Sequence, residues 1–223
     1  MLESCTLKKC DLLNQDMDKP KGNAREDILN TAERLFAENG IQNVSLREIN
    51  AEAGYSAAAL HYHFRSRDGL LEALLLKRQE PVMTLRAELL QPLQEERRPS
   101  VESLAEALVM PFAHPILNDP ETGLTAVKFL FRAYVEQSHH GQIRKTTERS
   151  LKTFEPLLAR ALPDLDQTRR RSRWLLATEL TFQGLANMDA IMALSKQSHA
   201  RKSREQYVQT LITFIAGGLR YRG

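Results

Sequence analysis

Cysteine is nearly absent from this chain of 223 residues: there are two, Cys5 and Cys10. So few, both near the start, rule out a disulfide framework, and with no histidine beside them a metal site is not expected. Long apolar runs are missing as well. The longest stretch free of charged side chains, Gln206 to Leu219, is shorter than the roughly 20 residues a membrane-spanning helix needs. Met1 to Asp18 mixes Lys8 and Lys9 with four acids and holds no apolar segment of the secretory kind. Charge of one sign is lacking: 31 basic against 28 acidic residues leave +3. No segment alternates with period two over a strand's length, so no sheet is expected. Ser-His-Asp spacing, paired carboxylates, a phosphate-cradling glycine loop and HExxH are all missing, so no enzyme class is supported and no cofactor or metal is expected. His139 and His140 are adjacent on a helix end and cannot both face one metal, which leaves a solvated turn. These absences describe a soluble cytoplasmic protein, long enough to bury a core without staples.

What is present is helical periodicity, with apolar residues recurring at spacings of three and four. Residues 1–18 read as a disordered tail, with Met17 as a second possible start. From Asn23 to Asn39, Ile28, Leu29, Ala32, Leu35 and Phe36 share one face, and Gly40 stops the helix. Ser45 and Glu48 form an S-x-x-E capping box that opens a second helix, which Gly54 ends after barely two turns. Ser56 caps a third helix over Ala57 to His63, and Ser66 a fourth from near Arg67, where Pro81 should kink or interrupt the pattern. Residues 19–68 thus form one compact unit, and 69–223 a larger helical domain. The larger domain is punctuated by Pro92, Pro99, Pro111, Pro115, Pro120 with Gly123, Gly141 and Pro163. Asp164 with Gln167, and Ser203 with Gln206, are plausible starts for the last two helices, Thr168 to Ser195 and Arg204 to Leu219.

Ser45 to Phe64, SLREINAEAGYSAAALHYHF, has the logic of a helix-turn-helix: one helix braces, a glycine turns, and the second presents side chains outward. On the pattern from Ile28 to Leu74, the chain resembles the TetR family of bacterial transcriptional regulators. Asn50 stands where that family generally has a small alanine, and His61 where it usually has tyrosine; Asn50 is expected to face DNA or solvent. The resemblance implies an all-α protein: an N-terminal three-helix helix-turn-helix domain followed by a larger helical domain for ligand binding and dimerisation.

Between Lys19 and Asp68 there are seven basic and seven acidic residues, so the distribution of charge rather than its sum argues for DNA. Lys19, Lys21 and Arg25 form an arm without an acid, Arg65 and Arg67 follow the third helix, and four acids sit on the first helix. Ser45 and the amides at its helix start suit a phosphate. Arg47 suits guanine O6 and N7, or is a solvated surface arginine. Ala57, Ala58 and Ala59 present only methyl groups, which allow close approach to the groove floor and to thymine methyls, and Ser56 at the helix start is a further DNA-binding candidate. Tyr55, His61, Tyr62 and His63 offer donors to phosphates, with packing against the turn or half-burial as the alternative. Arg67 matches the family's phosphate-binding lysine. Leu60 and Phe64 are expected in the core.

In the larger domain the resemblance implies a ligand site among the middle helices, with candidate lining Val109, Phe112, His114, Phe129, Arg132, Ala133, Trp174 and Gln183. Mostly apolar with a few polar handles, it suits a hydrophobic or aromatic effector. The last two helices are apolar on more than one face, so one face lacks a partner within the chain. Family members dimerise there, and Leu185, Met188, Met192, Leu211 and Ile215 are the candidate interface. The expected partners are a double-stranded DNA operator, a second copy of the chain and a small-molecule effector, with no membrane. The function implied is a regulator, more readily a repressor than an activator, released from a palindromic operator by its effector. The alternative is a helical dimeric protein-interaction module that does not read DNA.

Overall fold

The computed structural model describes residues 23–136 and 141–221, with the backbone alone for 141–147. The readings of residues 1–18 as a tail, of Met17 as a start, of Lys19 and Lys21 as an arm, and of His139–His140 as a solvated turn therefore lie outside the described residues. The described secondary structure is entirely helical. In chain order the helices are α1 (Ala24–Asn39), α2 (Leu46–Ala53), α3 (Ala57–Phe64), α4 (Arg67–Glu95), α5 (Val101–Asn118), α6 (Pro120–Glu136), α7 (Gly141–Ala161), α8 (Gln167–Ala186), α9 (Met188–Leu194) and α10 (Arg201–Arg220).

The first three helices form around the turns read from the sequence. Gly40 takes φ 86° after α1, and Gly54 closes α2 in the left-handed conformation at φ 74°, which glycine adopts without steric cost. The capping box is complete: Ser45 Oγ accepts from the Glu48 amide at 3.2 Å, and the Glu48 carboxylate accepts from the Ser45 amide. Ile28, Leu29, Phe36, Ile49, Leu60 and Phe64 close one core against Leu70 and Leu74 of α4. After α3, Arg65 takes φ 63°, an unusual conformation for a side-chain-bearing residue, and leads into Ser66, whose hydroxyl caps α4.

The proline expectations need correcting. Pro81 does not interrupt α4, which runs from Arg67 to Glu95 with Pro81 and Pro92 inside it. Both prolines are exposed, so their rings face water. Pro111 and Pro115 likewise lie inside α5 rather than between helices. Pro111 is buried, and there the deficit is met internally: Arg86 Nε donates at 3.4 Å to the Ala107 carbonyl, the group whose helical donor Pro111 removes.

The last helices also differ from the expected spans. Asp166, not Asp164, caps α8, accepting from the Arg169 amide at 2.9 Å. The expected single helix to Ser195 breaks at Asn187, whose side chain bonds back to the Gln183 carbonyl, and α9 follows. α10 begins at Arg201, two residues before Ser203, without a side-chain cap. It lies against α5 and α8, while α1 lies against α6.

Candidate nucleic-acid interface and effector cavity

α2 and α3 present a continuous polar rim. Ser45, Arg47, Ser56, Ala57, Ala58, His61 and Tyr62 are all exposed, Tyr62 at 82%. Arg47 has no hydrogen-bond or ion-pair partner among the described residues, so its guanidinium is available to an anion or a base edge. Ser45 and Ser56 accept from Glu48 and Ala59 amides; each hydroxyl still has its own hydrogen to donate. His63 is half-buried, edge-on to Tyr62 at 5.1 Å between centroids.

For Tyr55 the packing alternative holds, and the expectations for Arg67 and Asn50 need correcting. Tyr55 is turned away from the rim: its hydroxyl donates to Asp27 Oδ2 at 2.7 Å, and that hydrogen bond to the carboxylate raises the phenol's pKa. Arg67 reaches back under α1, where Nη2 donates to the Ile41 carbonyl and, at 3.2 Å, to that of Val44, with its guanidinium 5.8 Å from the Phe36 ring. It braces the turn between α1 and α2 instead of facing outward. Asn50 does not face DNA or solvent with its amide oxygen, which is buried without a partner among the described residues.

Three of the four acids of α1 are paired with cations, and the fourth, Asp27, accepts from the Tyr55 hydroxyl. Glu26 pairs with Lys77, Glu33 with Arg78, and Glu38 with Arg34, which also pairs with Glu52. Arg65, exposed at the end of α3, joins Arg47 as a free cation on the rim's side of the unit. An anionic partner meets the free cations Arg47 and Arg65 and the hydroxyls here, with the exposed carboxylates Glu48, Glu52 and Asp68 also nearby in the chain.

Behind this unit lies a cavity of about 80 Å³. From α4 it is lined by Leu75, Gln79, Val82, Met83 and Arg86; from α5 and α6 by Leu108, Phe112, Leu130 and Tyr134; from α7 and α8 by Ser150, Trp174, Thr178 and Phe182. Aromatic contacts shape the wall: Phe112 lies 4.8 Å from Phe182, Tyr134 stacks on Phe182 at 5.1 Å, and Trp174 packs on Phe154 at 3.9 Å. The Tyr134 hydroxyl donates to Glu179 at 2.6 Å. Burial first, and then that carboxylate, push its pKa well above the ordinary phenol value, so it stays protonated.

Of the residues expected to line a ligand site, only Phe112 and Trp174 reach this cavity. Val109 and Ala133 are buried elsewhere in the core, and Phe129 stacks on Phe36 of α1 at 6.2 Å. Arg132 pairs with Glu136, Gln183 bonds to Asn187, and the exposed His114 lines a separate groove between α4, α5 and α6. Arg86 and Phe182 were missed. Arg86 does carry a signal, because it falls on the face of α4 that buries Leu75, Val82 and Leu90.

The same stretch of α4 serves both places. Lys77 and Arg78 hold α1 through Glu26 and Glu33, while Gln79, Val82, Met83 and Arg86 line the cavity. Glu136 at the end of α6 adds a second link, accepting from the Gln42 amide at 3.0 Å.

The five candidate interface residues are also placed differently. Leu185, Met188, Met192, Leu211 and Ile215 are all buried within one protomer, so their apolar faces are already covered. The uncovered apolar side chains of the last helices are Leu175, Leu176, Ile191, Leu194 and Phe214.

An all-helical chain with an exposed, carboxylate-poor third helix after a glycine turn, joined by one long helix to a cavity-bearing body, has the build of a helix-turn-helix regulator. The family of bacterial regulatory proteins named for tetR matches residues 28–74, and the tetracyclin repressor-like C-terminal domain matches residues 106–218. The chain belongs to the TetR family of transcriptional regulators. It is 38% identical over 56 residues to the HTH-type transcriptional regulator UidR of Escherichia coli K12, covering 25% of this chain and 29% of that one. With the HTH-type transcriptional repressor AcnR of Corynebacterium glutamicum it shares 39% over 57 residues, 26% of this chain and 30% of that one. The similarity therefore spans less than a third of these relatives' length. Solved structures extend the likeness of fold: the ketosteroid transcriptional regulator KstR2 of Mycobacterium tuberculosis has TM-score 0.58 at 16% identity, over 87% of this chain and 93% of that one. The fatty acid degradation regulator FadR of Bacillus halodurans has TM-score 0.52 at 20% identity, over 92% of this chain and all of that one.

Among the described residues no helix is long and apolar enough to cross a membrane, and no cluster of His, Cys, Asp and Glu could hold a metal.

Proposed function

We propose that this chain is a ligand-responsive DNA-binding repressor that acts in the cytoplasm as a homodimer, without catalysis. The observation that carries the reading is the outward rim of α2 and α3, where Arg47 stands free beside Ser45, Ser56, Ala57, Ala58, His61 and Tyr62. Small methyl-bearing side chains allow α3 to approach the floor of a major groove, while Arg47 and the hydroxyls engage base edges and phosphates. Residues 19–68 act as the reading head and 69–223 as the body.

The second copy covers the apolar faces that α8 and α10 leave open, around Leu176 and Phe214, each more than two-thirds exposed. Gly217 and Gly218 have nothing within 4 Å of where a Cβ would stand, so another backbone can approach closely there. Two-fold pairing of this kind predicts an operator with near-palindromic half-sites. Ligand entering the cavity bears on α4 at Gln79 to Arg86, one turn from the pairs that hold α1. It releases DNA to the extent that it prefers the head orientation that does not fit the operator.

Selection of duplexes from a randomised pool, followed by affinity measurements at two salt concentrations, tests the reading. Near-palindromic sequences, affinity falling steeply with salt, and a loss of about 1–3 kcal/mol in Arg47→Ala are expected. Recovery of no sequence above the random pool would favour a protein-interaction module.

A further inference from the structure

Among the described residues, a single formal charge lines the effector cavity. Of its thirteen lining residues only Arg86 is ionised, and the remainder are apolar or neutral. Its Nε–H is used, donating to the Ala107 carbonyl that Pro111 leaves without a helical donor, and its guanidinium lies 5.2 Å from the centre of the Phe112 ring. Nη1 and Nη2 have no hydrogen-bond or ion-pair partner among the described residues. Arg86 is half-buried and neither atom is sealed from solvent, so four N–H groups of a cation stand beside a largely apolar wall with no counter-charge among the described residues and are open to an acceptor. Desolvation lowers the Arg86 pKa to about 10, so it remains a cation at neutral pH.

An adjoining cavity of about 210 Å³ shares Gln79, Met83, Arg86 and Ser150 with the first, and adds Arg149. Among the described residues no carboxylate lines either one. Both spaces meet at Arg86, and the neighbouring Gln79 and Ser150 supply neutral polar groups. The apolar share of the wall is aromatic and aliphatic: Leu108, Phe112, Leu130, Trp174 and Phe182.

Building on the effector reading, we infer that the ligand is an amphipathic monocarboxylate, its acid group forked on Nη1 and Nη2 of Arg86 and its hydrocarbon or aryl part among Phe112, Trp174 and Phe182. A planar guanidinium fits a carboxylate bidentately. Arg86 is the one cation of the first cavity, and Arg149 of the adjoining one is exposed to water, so a monocarboxylate balances the interior charge while a phosphate dianion would bring a second charge without an interior partner.

Trp174, the chain's single tryptophan, lines the cavity and reports occupancy. Its emission in the full-length protein is followed against octanoate and octanamide, 4-phenylbutyrate and its primary amide, and hexyl phosphate, with calorimetry as a second readout. At least one acid is expected to bind about tenfold or more tighter than its amide, the scale of a hydrogen bond to a charged group. Arg86→Gln retains an N–H for the Ala107 carbonyl and should abolish that preference without weakening the amide; a thermal melt checks its folding, and the wild-type pairs decide alone if it does not fold. Acid and amide binding alike would overturn the carboxylate assignment while leaving the effector cavity intact. Tighter binding of hexyl phosphate than of either acid would also overturn it. Silence of every compound in both readouts would overturn the assignment and the cavity reading together.

Discussion

The pair of Glu33 and Arg78 offers the most quantitative test of how the reading head is joined to the body. Glu33 is 3% exposed, and Arg78 donates to both of its carboxylate oxygens from Nε and Nη2. Arg78→Ala leaves that carboxylate buried without a cation. Removing one partner of a fully buried pair costs about 3–5 kcal/mol. The Arg78 side chain is 20% exposed, so water enters the gap and the loss should fall to roughly 2–3 kcal/mol. For a chain of this size, about 1 kcal/mol moves Tm by 2–4 °C, which puts the shift at about 4–12 °C. The double variant Glu33→Leu/Arg78→Met replaces the charges with apolar groups and should recover most of the loss, giving a large coupling in a double-mutant cycle. Melts are run at one protein concentration, because dimerisation couples stability to concentration. A shift below about 1 °C for Arg78→Ala, or strict additivity in the cycle, would mean that the pair behaves as an exposed one and does not fasten α1 to α4.

Three further outcomes follow from single residues. Asn50→Ala removes a buried amide oxygen without a partner and restores helix propensity, so urea denaturation should show a gain of about 1–2 kcal/mol with DNA affinity unchanged. Phe214→Asp puts a charge on the open face of α10 and should shift the protein from dimer to monomer in sedimentation, weakening DNA binding with it. Tyr55 has a raised pKa because its hydroxyl donates to the Asp27 carboxylate. The folded state then holds the phenol proton more tightly than the unfolded one, so this stability is present below the ordinary phenol pKa of about 10 and lost as pH rises through the raised value. The urea midpoint of the wild type should therefore fall more between pH 8 and pH 11 than that of Tyr55→Phe.

Local signals were legible in the sequence and distant ones were not. The Ser45–Glu48 box, the left-handed Gly54 and the inward Leu60 and Phe64 depend on neighbours within one or two turns, and the structure has each as expected. Tyr55 and Arg67 look like outward groups on a DNA-facing unit, but their partners lie 28 and 26 residues away, and no spacing rule finds such pairs. Prolines 81 and 92 read as breaks because sequence does not say that they fall on the solvent side of α4. For α8 and α10, apolar residues on two faces announce that a second surface exists. Which face is inward depends on where α5 packs: Leu211 is buried within the protomer and Phe214 is exposed. Arg86 continues a buried stripe, yet a lone arginine there reads as a solvated side chain until Pro111 and the Ala107 carbonyl are seen beside it.

The central claim is that the cavity and the reading head are coupled through α4. Reciprocal linkage measures this directly: a carboxylate that quenches Trp174 is titrated with and without a saturating selected duplex, and the duplex with and without the carboxylate. The account predicts that each weakens the other by the same factor, about 5- to 150-fold, and that Arg86→Gln lowers the carboxylate's affinity without touching that for DNA. Carboxylate affinity that is the same with and without the duplex would contradict it.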